Sequence, residues 1–442
     1  MDTASAVKMV TAQIERDRSY PVELTQELVR IPTVNPKFEV GEGLNRETDA
    51  QRLVAEHLAA AGLTTEQHEV FPDRPNVRGH RDGSDERSLV LNGHMDVVPV
   101  GDRSTWSVDP FGAEIHGGRL YGRGGYDMKA GIAAAIAAAK AIHDCGIELA
   151  GRFEVHSVVD EEAGGFGSKD LVTRARAASA VIVGEPTEEQ VMLCQGGLEW
   201  VRVTLRGRNA HTGWRYNDIY PQRDSADRTR PGVNAAELAA RLITAVGQLE
   251  RDWARGKPAH PLLPPGVNTI SPSVVQVGSG LGPDGLPATM TNPAITPDVA
   301  VLDFDLKYLP TETSAQVRAE FEDFIGHWAA QDPWLREHPP TVQWELGDLH
   351  FPAFDTSPDF PVVDSIRRQR AALGKTTEIT GFVAVCDGAF YRPTGATPLI
   401  YGALGADAHG PDEWVDVNSI VDTAKVFAAA AIEHCGLRPT TR

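Results

Sequence analysis

Four short apolar segments are the feature that most constrains the fold of this chain. They cover residues 88–93 (SLVLNG), 153–159 (FEVHSVV), 180–185 (AVIVGE) and 397–404 (TPLIYGAL). Each is rich in Val, Ile or Leu and has the length of a buried strand. An alanine-rich stretch, 129–145, separates the first two and has a strongly helical composition. Strands that alternate with helices predict an α/β layer with a mainly parallel sheet.

The character of the sequence changes after Gly196. An alternating strand pattern (200–207) is followed by a helical pattern (234–254), by strand-like pieces and by a second helical pattern (313–331). A further alternating piece (341–347) comes last. This β-α-β-β-α-β order predicts a two-layer α+β domain of the ferredoxin-like type, inserted into the α/β layer.

The predicted domain boundaries follow from this change. Residues 1–195 and 353–442 form the α/β domain, and residues 196–352 form the insert. Within the insert, 214–231 and 258–297 are rich in Pro, Gly and Asp, which predicts loops. The first of these stretches also carries several Arg and Asp residues, so a specificity loop, a dimer contact and an ordinary solvated loop all remain open.

Composition excludes several classes of protein. No apolar run approaches the roughly 20 residues of a membrane-spanning helix, so no membrane association is expected. The formal net charge of −19 repels a phosphate backbone, so we expect no nucleic-acid partner. The 4 cysteines are scattered and the amino terminus lacks the apolar segment of a signal peptide. Both features favour a cytoplasmic protein.

A residue able to bind a metal follows each predicted strand. Because the carboxyl ends of parallel strands meet at one edge of a sheet, we expect these side chains to converge. One more acid stands in a glycine-rich turn ahead of the alanine-rich helix. The residues are His94, Asp96, Asp127, Asp160, Glu161, Glu162, Glu185 and His409. Imidazole and carboxylate ligands together suit zinc, cobalt or manganese, whereas calcium prefers oxygen ligands alone.

Each of these signals has a simpler explanation when it is taken alone. A single His after a strand is usually a structural histidine, and a run such as Asp160-Glu161-Glu162 is usually part of a solvated loop. Acids that cluster without a cation repel one another and raise their pKa values. A bound divalent ion explains why acids follow successive strands, and the sequence therefore predicts a transition-metal site.

Longer motifs identify a family. The segments GHMDVVP, WSVDPFGAEIHGGRLYGRGGYDMKAG, DEEAGGFGS, GEPT, NAHTG and AHGPDEWV occur in the order and approximate spacing found in metal-dependent amidohydrolases. The chain resembles the family that includes acetylornithine deacetylase, succinyl-diaminopimelate desuccinylase, aminoacylase and glutamate carboxypeptidase. The resemblance covers nearly the whole chain. It implies a catalytic α/β domain, an inserted lid domain that makes a homodimer, and a small-molecule substrate.

The resemblance also implies a ligand set for two divalent metal ions. Zn²⁺ is expected, and Co²⁺ and Mn²⁺ are alternatives. His94 and Glu185 hold one ion, Glu162 and His409 hold the other, and Asp127 bridges the pair.

Two further roles come from the same resemblance. Asp96 fixes the tautomer of the His94 imidazole. Glu161 is the general base that takes a proton from a metal-activated water. Members of the family commonly have a cis peptide after the bridging acid, which in this chain is the bond between Asp127 and Met128.

Three residues of the insert are also assigned by the resemblance. His211 matches the lid histidine that reaches the partner subunit's site and stabilises the developing oxyanion; a surface histidine is the plainer alternative. Asn268 aligns with an asparagine near the substrate, and a loop-capping asparagine is equally consistent. Lys307 stands where the family often has an arginine that grips a substrate carboxylate, and lysine keeps the charge but loses the bidentate geometry.

The sequence thus predicts a dinuclear metal-dependent hydrolase that cleaves an amide-type C–N bond in a small N-acylated amine or amino acid. A dipeptidase or carboxypeptidase, and a hydrolytic deaminase or deformylase on the same site, are alternatives, because water attacks carbon in all of them. A metal-dependent binding protein without activity is the alternative from another class. It would require the loss of the base or of a ligand, and all these residues are present.

Overall fold

The computed structural model describes residues 1–215 and 232–439. Most of the stretch 214–231, which the sequence predicts to be a loop, therefore lies outside the described residues. Among the described residues, no helix is long and apolar enough to cross a membrane.

The chain divides into two compact units. The first unit combines Met1–Gln195 with Phe354–Arg442, and the second unit is Gly196–Ala353. The insert predicted from the sequence, 196–352, differs from the second unit by one residue. The change in sequence character after Gly196 therefore lies at the start of the second compact unit.

The first unit mixes helices with strands, and the second unit interrupts it. The helices in the described residues are α1 Thr3–Arg16, α2 Ser19–Val29, α3 Glu47–Ala60, α4 Ala130–Asp144, α5 Phe166–Arg174, α6 Ala235–Gly256, α7 Ser314–Ala330, α8 Pro333–Glu337, α9 Pro361–Ala372, α10 Gly388–Tyr391 and α11 Val417–Cys435. The strands are β1 Thr64–Phe71, β2 Arg74–Arg81, β3 Ser84–His94, β4 Glu114–His116, β5 Arg119–Tyr121, β6 Gly151–Val158, β7 Ala180–Val183, β8 Val191–Gln195, β9 Gly197–Arg206, β10 Ile270–Leu281, β11 Pro287–Thr289, β12 Val299–Tyr308, β13 Thr341–Trp344, β14 His350–Phe351, β15 Phe354–Asp355, β16 Ile379–Phe382, β17 Thr397–Ile400, β18 Gly405–Ala406 and β19 Trp414–Asp416.

A 9-stranded sheet forms the centre of the first unit. Its strands follow the order β1-β2-β6-β3-β7-β17-β8-β15, and β16 pairs with β8. The neighbours β6, β3, β7 and β17 are parallel, as the alternation of strands and helices predicts. The prediction of a mainly parallel sheet is wrong for the outer strands, because β1–β2 is a hairpin with a tight turn and both β2–β6 and β17–β8 are antiparallel. The unit is an α/β structure with a mixed sheet.

The parallel strands end at one level. His94 at the end of β3 pairs with Val158 at the end of β6, and Asn92 pairs with Val183 at the end of β7. Val183 in turn pairs with Ile400 at the end of β17. The residues that follow these strands are therefore brought to the same edge of the sheet.

Two alanine-rich helices cover this part of the sheet. α4 and α11 pack against each other and against β3 and β6, and most of their side chains are buried. Small side chains allow the helices to lie close to the strands. The approach is closest at Gly131 in α4, where a Cβ atom would collide with the carbonyl group of Gly184. Gly184 directly precedes Glu185, so the start of α4 packs against the residue next to a predicted metal ligand.

A small 4-stranded sheet of the first unit has the order β18-β19-β5-β4. The antiparallel pair β19–β5 carries the segment around His409 to the turn that precedes α4. Next to this pair, the backbone N–H of Gly122 donates to the carbonyl oxygen of Glu413 at 2.9 Å. The segments that contain Asp127 and His409 are thereby held side by side, although they are far apart in the sequence.

The second unit is built around a 6-stranded antiparallel sheet. Its order is β11-β10-β12-β9-β13, with β14 beside β9. Buried side chains of β9, β12, α6 and α7 form its core. The main elements follow the β-α-β-β-α-β order that the sequence pattern predicts, with β11, α8 and β14 in addition.

The prediction of a loop at 258–297 is wrong for part of this range, because β10 and β11 lie in it. The side chains from Ser271 to Val275 in β10 are exposed. A strand of this kind lacks the alternation of apolar and polar residues by which strands are recognised. β10 forms because it pairs with β12 over most of its length, with an irregularity in register after Pro272.

Replacement of Gly131 by alanine tests the close contact between α4 and the end of β7. In a helix, alanine normally stabilises relative to glycine by about 0.5–1 kcal/mol. At Gly131 the added methyl group would collide with backbone atoms. We therefore expect Gly131→Ala to lower the free energy of unfolding by about 1–3 kcal/mol, as overpacking does.

Gly326 in α7 provides the matched control, because a Cβ atom there would meet nothing within 4 Å. Gly326→Ala should raise the free energy of unfolding. Denaturant unfolding of both variants measures the difference. A stabilised Gly131→Ala variant would show that the helix does not approach the strand this closely.

Candidate metal centre

His94 is the last residue of β3, and its side chain is buried. Its Nδ1 lies 2.9 Å from the backbone carbonyl oxygen of Asp96. Because a carbonyl oxygen can only accept, Nδ1 carries a proton and donates it, which leaves Nε2 of the neutral imidazole with the free lone pair. Nε2 faces a carboxylate oxygen of Asp127 at 3.2 Å and one of Glu185 at 3.9 Å. The nitrogen that can bind a metal thus points at the carboxylates.

Asp127 lies between two histidines. Its Oδ1 is 3.2 Å from Nε2 of His94, and its Oδ2 is 3.2 Å from Nε2 of His409. Nε2 of His409 also lies 3.1 Å from Oε2 of Glu162. The two oxygens of Asp127 therefore face two different donor groups, as a bridging ligand would require. The peptide bond between Asp127 and Met128 is cis, as the family resemblance implies.

The two glutamates after β6 belong to different donor groups. Oxygens of Glu161 and Glu185 and a nitrogen of His94 all lie within 4.8 Å of one another. A second group within the same limit contains His94, Asp127 and Glu162. Glu161 and Glu162 are consecutive residues, yet their carboxylates lie in two different groups of donor atoms, which share His94.

Burial and mutual repulsion perturb the carboxyl groups. Burial raises the pKa of Glu161 and of Glu185 well above the usual value, and neighbouring carboxylates add to this shift while His94 opposes it. Burial and the charge of Asp127 raise the pKa of Glu162. Asp127 behaves differently: burial opposes its ionisation, but hydrogen bonds from the two histidines outweigh burial and lower its pKa.

Both histidines favour the protonated form when no metal competes for them. Hydrogen bonds to Asp127 and Glu162 raise the pKa of His409 to about 10. Burial lowers the pKa of His94, but the hydrogen bond to Asp127 and the surrounding carboxylates reverse this and raise it well above its usual value. The carboxylates of the centre therefore favour the binding of positive charge, either as protons on the histidines or as cations.

The donor set fits divalent transition metals. Imidazole nitrogens and carboxylate oxygens are the ligands that zinc, cobalt and manganese accept together. The donor atoms of each group lie within 4.8 Å of one another, and small side-chain shifts would bring them to ligand distances of about 2.0–2.2 Å from one ion. Cations would also compensate the negative charge that raises the pKa values of Glu161, Glu162 and Glu185.

Asp96 holds His94 in a different way from the one that the resemblance implies. The backbone carbonyl of Asp96 accepts the Nδ1 proton, whereas its nearer carboxylate oxygen is 3.8 Å from Nδ1. The carboxylate is already occupied: it accepts hydrogen bonds from the backbone N–H groups of Glu161 at 3.0 Å and Glu162 at 3.2 Å. It also accepts one from the side-chain amide of Asn35 at 2.8 Å. Asp96 therefore sets the tautomer of His94 through its backbone carbonyl and not through its carboxylate.

The turn that presents Asp127 is held by Glu413 and Arg123, two residues that were not among the predicted site residues. The buried Glu413 carboxylate accepts hydrogen bonds from the backbone N–H groups of Tyr126 and Asp127, both at 3.0 Å, and from Nη1 of Arg123 at 2.6 Å. Burial raises the pKa of Glu413 to about 7, and Arg123 opposes this shift. Both residues stand inside the recognised motifs, but no sequence pattern shows that the two motifs meet.

The residues of the insert that the resemblance assigns lie in the second unit. His211 is exposed, its Nδ1 accepts the Gly213 N–H at 3.0 Å, and its ring lies beside that of Trp214. Asn268 is buried, and within the described residues its Nδ2 has no hydrogen-bond partner. Lys307 is half-buried on β12. The candidate metal centre itself is built by the first unit.

Comparisons with known proteins point to the same chemistry. The sequence profile of peptidase family M20/M25/M40 matches residues 90–433. The chain is 30% identical to N-formyl-4-amino-5-aminomethyl-2-methylpyrimidine deformylase from Halalkalibacterium halodurans, over 98% of this chain and 99% of the relative. It is 28% identical to succinyl-diaminopimelate desuccinylase from Methylorubrum extorquens, over 90% of this chain and 94% of the relative.

A solved structure shows the same fold. An aminopeptidase from Bacillus cereus has a TM-score of 0.66 at 18% identity, over 95% of this chain and 98% of that chain. At this identity the likeness concerns the fold alone. The family profile, in contrast, spans the sequence from β3 to α11 and includes all the candidate ligands. The chain is a metal-dependent amide hydrolase and belongs to peptidase family M20/M25/M40.

Proposed function

We propose that this hydrolase uses two divalent ions to remove a short acyl group, with formyl as the first candidate, from the nitrogen of a small amine. The observation that carries the proposal is the 30% identity to a deformylase over 98% of the chain, in a protein that retains every candidate ligand. The substrate in that relative's name is an N-formylated aminomethylpyrimidine. An N-acylated heteroaromatic amine is therefore the substrate class that we propose.

In this proposal Asp127 would be a ligand of both ions. His94 and Glu185 would hold one ion, and Glu162 and His409 would hold the other. The placement of Asp127 supports the sharing, since its two oxygens face one histidine each at 3.2 Å. Zn²⁺ is the proposed metal, with Co²⁺ or Mn²⁺ as alternatives. When bound, such ions polarise an amide carbonyl group and lower the pKa of a water molecule towards about 7.

Glu161 is the proposed general base. Its carboxylate lies in the same donor group as His94 and Glu185, close enough to the centre to accept a proton from the attacking water. Burial raises the pKa of Glu161, and a carboxyl group with a raised pKa is a better proton acceptor near neutral pH. The same carboxyl group can then give the proton to the leaving nitrogen.

Substrates with a free carboxylate form the second candidate class, because another relative is a desuccinylase. Lys307 would hold such a carboxylate through a single ammonium group, without the bidentate grip of an arginine. Asn268 is proposed as a substrate-binding donor. Its buried Nδ2, which has no partner among the described residues, supports that role.

A substrate screen decides between these classes. Protein loaded with Zn²⁺ would be offered N-formyl, N-acetyl and N-succinyl derivatives of one aminomethylpyrimidine, together with dipeptides, and chelated protein would serve as the control. We expect the highest kcat/KM for the N-formyl compound. A preference for dipeptides or N-succinyl substrates would replace the proposed substrate class, and metal-loaded protein without any turnover would favour a binding protein.

We also propose that the second unit forms a homodimer. Among the described residues, β10 pairs with β12 on one side and with β11 only near its end, at Ser279 and Leu281. Val274 and Val275, on the stretch of β10 that pairs with β12 but not with β11, are 43% and 46% exposed. A free strand edge with exposed apolar side chains favours pairing with a second copy. Within such a dimer, His211 is proposed to stabilise the oxyanion in the partner's centre.

Glutamine substitutions should separate the base from the ligand. Glu161→Gln keeps the size of the side chain and leaves all proposed ligands in place, so we expect metal content to stay normal while kcat falls by about 10²–10⁴-fold. Glu162→Gln should instead weaken metal binding. Metal analysis and steady-state kinetics on both variants make the comparison, and near-normal turnover of Glu161→Gln would place the base elsewhere.

Metal binding should strengthen as the pH rises. In metal-free protein the pKa of His409 is raised to about 10, so its imidazole is protonated at neutral pH and must lose that proton before Nε2 binds an ion. We expect the apparent Zn²⁺ affinity to increase between about pH 6 and pH 8, with release of protons on binding.

Competition with a chelator of known affinity at several pH values measures this dependence. His116→Ala is the control, because His116 is an exposed histidine paired with Glu114 outside the centre. An affinity that stays constant over this range would contradict the assignment of His409 as a ligand.

Mixed dimers should reveal the role of His211. His211→Ala alone should lower kcat by about 10²–10³-fold with little change in metal content, as loss of an oxyanion contact does. A dimer of one His211→Ala and one Glu161→Gln subunit has one centre with both groups intact if His211 acts across the dimer. Random mixing of the two inactive variants should then restore about a quarter of the wild-type activity. Wild-type behaviour of His211→Ala, with no effect of mixing, would make His211 a surface histidine.

A further inference from the structure

Asn35 stands between two buried carboxylates of the first unit. The residue itself is buried. Its Nδ2 donates to Oδ2 of Asp96 at 2.8 Å and to Oδ1 of Asp160 at 3.0 Å, and its Oδ1 accepts the backbone N–H of Lys37 at 3.0 Å. The side-chain amide thus uses both of its N–H groups and its oxygen. An uncharged amide is suited to this place because it offers a donor to each of two anions that would otherwise repel each other.

These two carboxylates hold the turn that carries Glu161 and Glu162. Asp96 accepts the backbone N–H groups of both glutamates, at 3.0 and 3.2 Å. Asp160 directly precedes them, has a left-handed φ of 67°, and accepts the Gly165 N–H with its backbone carbonyl at 2.8 Å. The direction in which each glutamate leaves the turn therefore depends on where Asp96 and Asp160 lie.

The two carboxylates are compensated in different ways. Asp160 receives Nη1 of Arg74 at 2.8 Å and Nζ of Lys37 at 2.5 Å, and Arg74 is paired in turn with the buried Glu47. Asp96 receives neutral donors, namely the two backbone N–H groups and Asn35. Removing one donor from a buried carboxylate costs free energy. Because the donors to Asp96 are neutral, Asp96 depends on the Asn35 amide more than Asp160 does.

The main chain fixes Asn35 itself. Its backbone N–H donates to the carbonyl oxygen of Val97 at 2.9 Å, and Val34 and Val97 form a parallel β-bridge. The segment of Asn35 therefore runs alongside the chain that continues from His94. One residue is thus tied to the segment after His94 by its backbone and to the turn after β6 by its side chain.

We propose that Asn35 is a positioning residue of the metal centre: its amide fixes Asp96 relative to Asp160 and thereby aims Glu161 and Glu162 at the two donor groups. The proposal rests on the functions proposed for the two glutamates. Asn35 acts through these neighbours and touches neither substrate nor ion.

Asn35→Asp tests this with the least change in shape. It removes the shared donors and places a third carboxylate beside Asp96 and Asp160. We expect the affinity for Co²⁺ and kcat each to fall by about 10–100-fold, the range found when a residue that orients metal ligands is lost, while KM changes much less. The visible absorption spectrum of Co²⁺-loaded protein should change as well, because it reports the geometry of the ligands.

Asn45→Asp is the matched control. Asn45 lies in the same loop, where its Nδ2 donates to the carbonyl oxygens of Val34 at 2.7 Å and Glu39 at 2.8 Å. We expect this variant to lower the Tm while the Co²⁺ spectrum, the Co²⁺ affinity and kcat stay at their wild-type values. If Asn35→Asp does not fold, Asn35→Ser replaces it, since the smaller side chain adds no charge and the same losses are expected.

A folded Asn35 variant with a wild-type Co²⁺ spectrum, Co²⁺ affinity and kcat would overturn the proposal. So would losses no larger than those of Asn45→Asp, because they would show that Asn35 only stabilises the loop. The spectrum and the affinity are measured without substrate. They therefore decide the matter even if the substrate screen shows that the proposed function is wrong.

Discussion

The crowding of carboxylates around two imidazoles is the constraint on which the rest of this structure depends. Burial and mutual repulsion raise the pKa of Glu161 and Glu162, so these groups would take up protons or move apart if nothing opposed it. Divalent cations relieve the repulsion only when the ligands are already in place. The hydrogen bonds around the centre keep them there: Asp96 holds the turn after β6, and Glu413 holds the turn before α4.

The fold meets this constraint by bringing short segments from distant parts of the chain to one edge of a sheet. Parallel register places the ends of β3, β6, β7 and β17 at one level, and the β19–β5 pair adds the segment of His409. Close packing keeps the ends of these strands in place, because α4 contacts the end of β7 at Gly131. None of the candidate ligands lies on the outer antiparallel strands β1, β2 and β15.

Such a centre does not distinguish acyl groups, since water attacks the same carbonyl carbon in a formamide, a succinamide or a peptide. Selectivity must come from residues that contact the remainder of the substrate. Lys307 of the second unit, proposed to hold a substrate carboxylate, would do so without the bidentate geometry of an arginine. The identity to a deformylase, whose name gives an N-formylated aminomethylpyrimidine as its substrate, supports the proposed substrate class.

The sequence by itself determined the family and the central parallel strands, and it predicted the proposed metal ligands and, within one residue, the limits of the second unit, because each depends on a local pattern or a contiguous motif. It predicted strand-like pieces in the insert but assigned the residues of β10 to a loop, since the exposed part of this strand has no alternation of apolar and polar residues. Only the tertiary structure decided that Glu413 supports Asp127, 286 residues away, and that Asn35 joins Asp96 to Asp160. It also decided that residue 96 holds His94 with its carbonyl and the glutamate turn with its carboxylate. No local pattern or contiguous motif indicates these particular contacts, because hydrogen bonds between such distant groups exist only once the chain has folded.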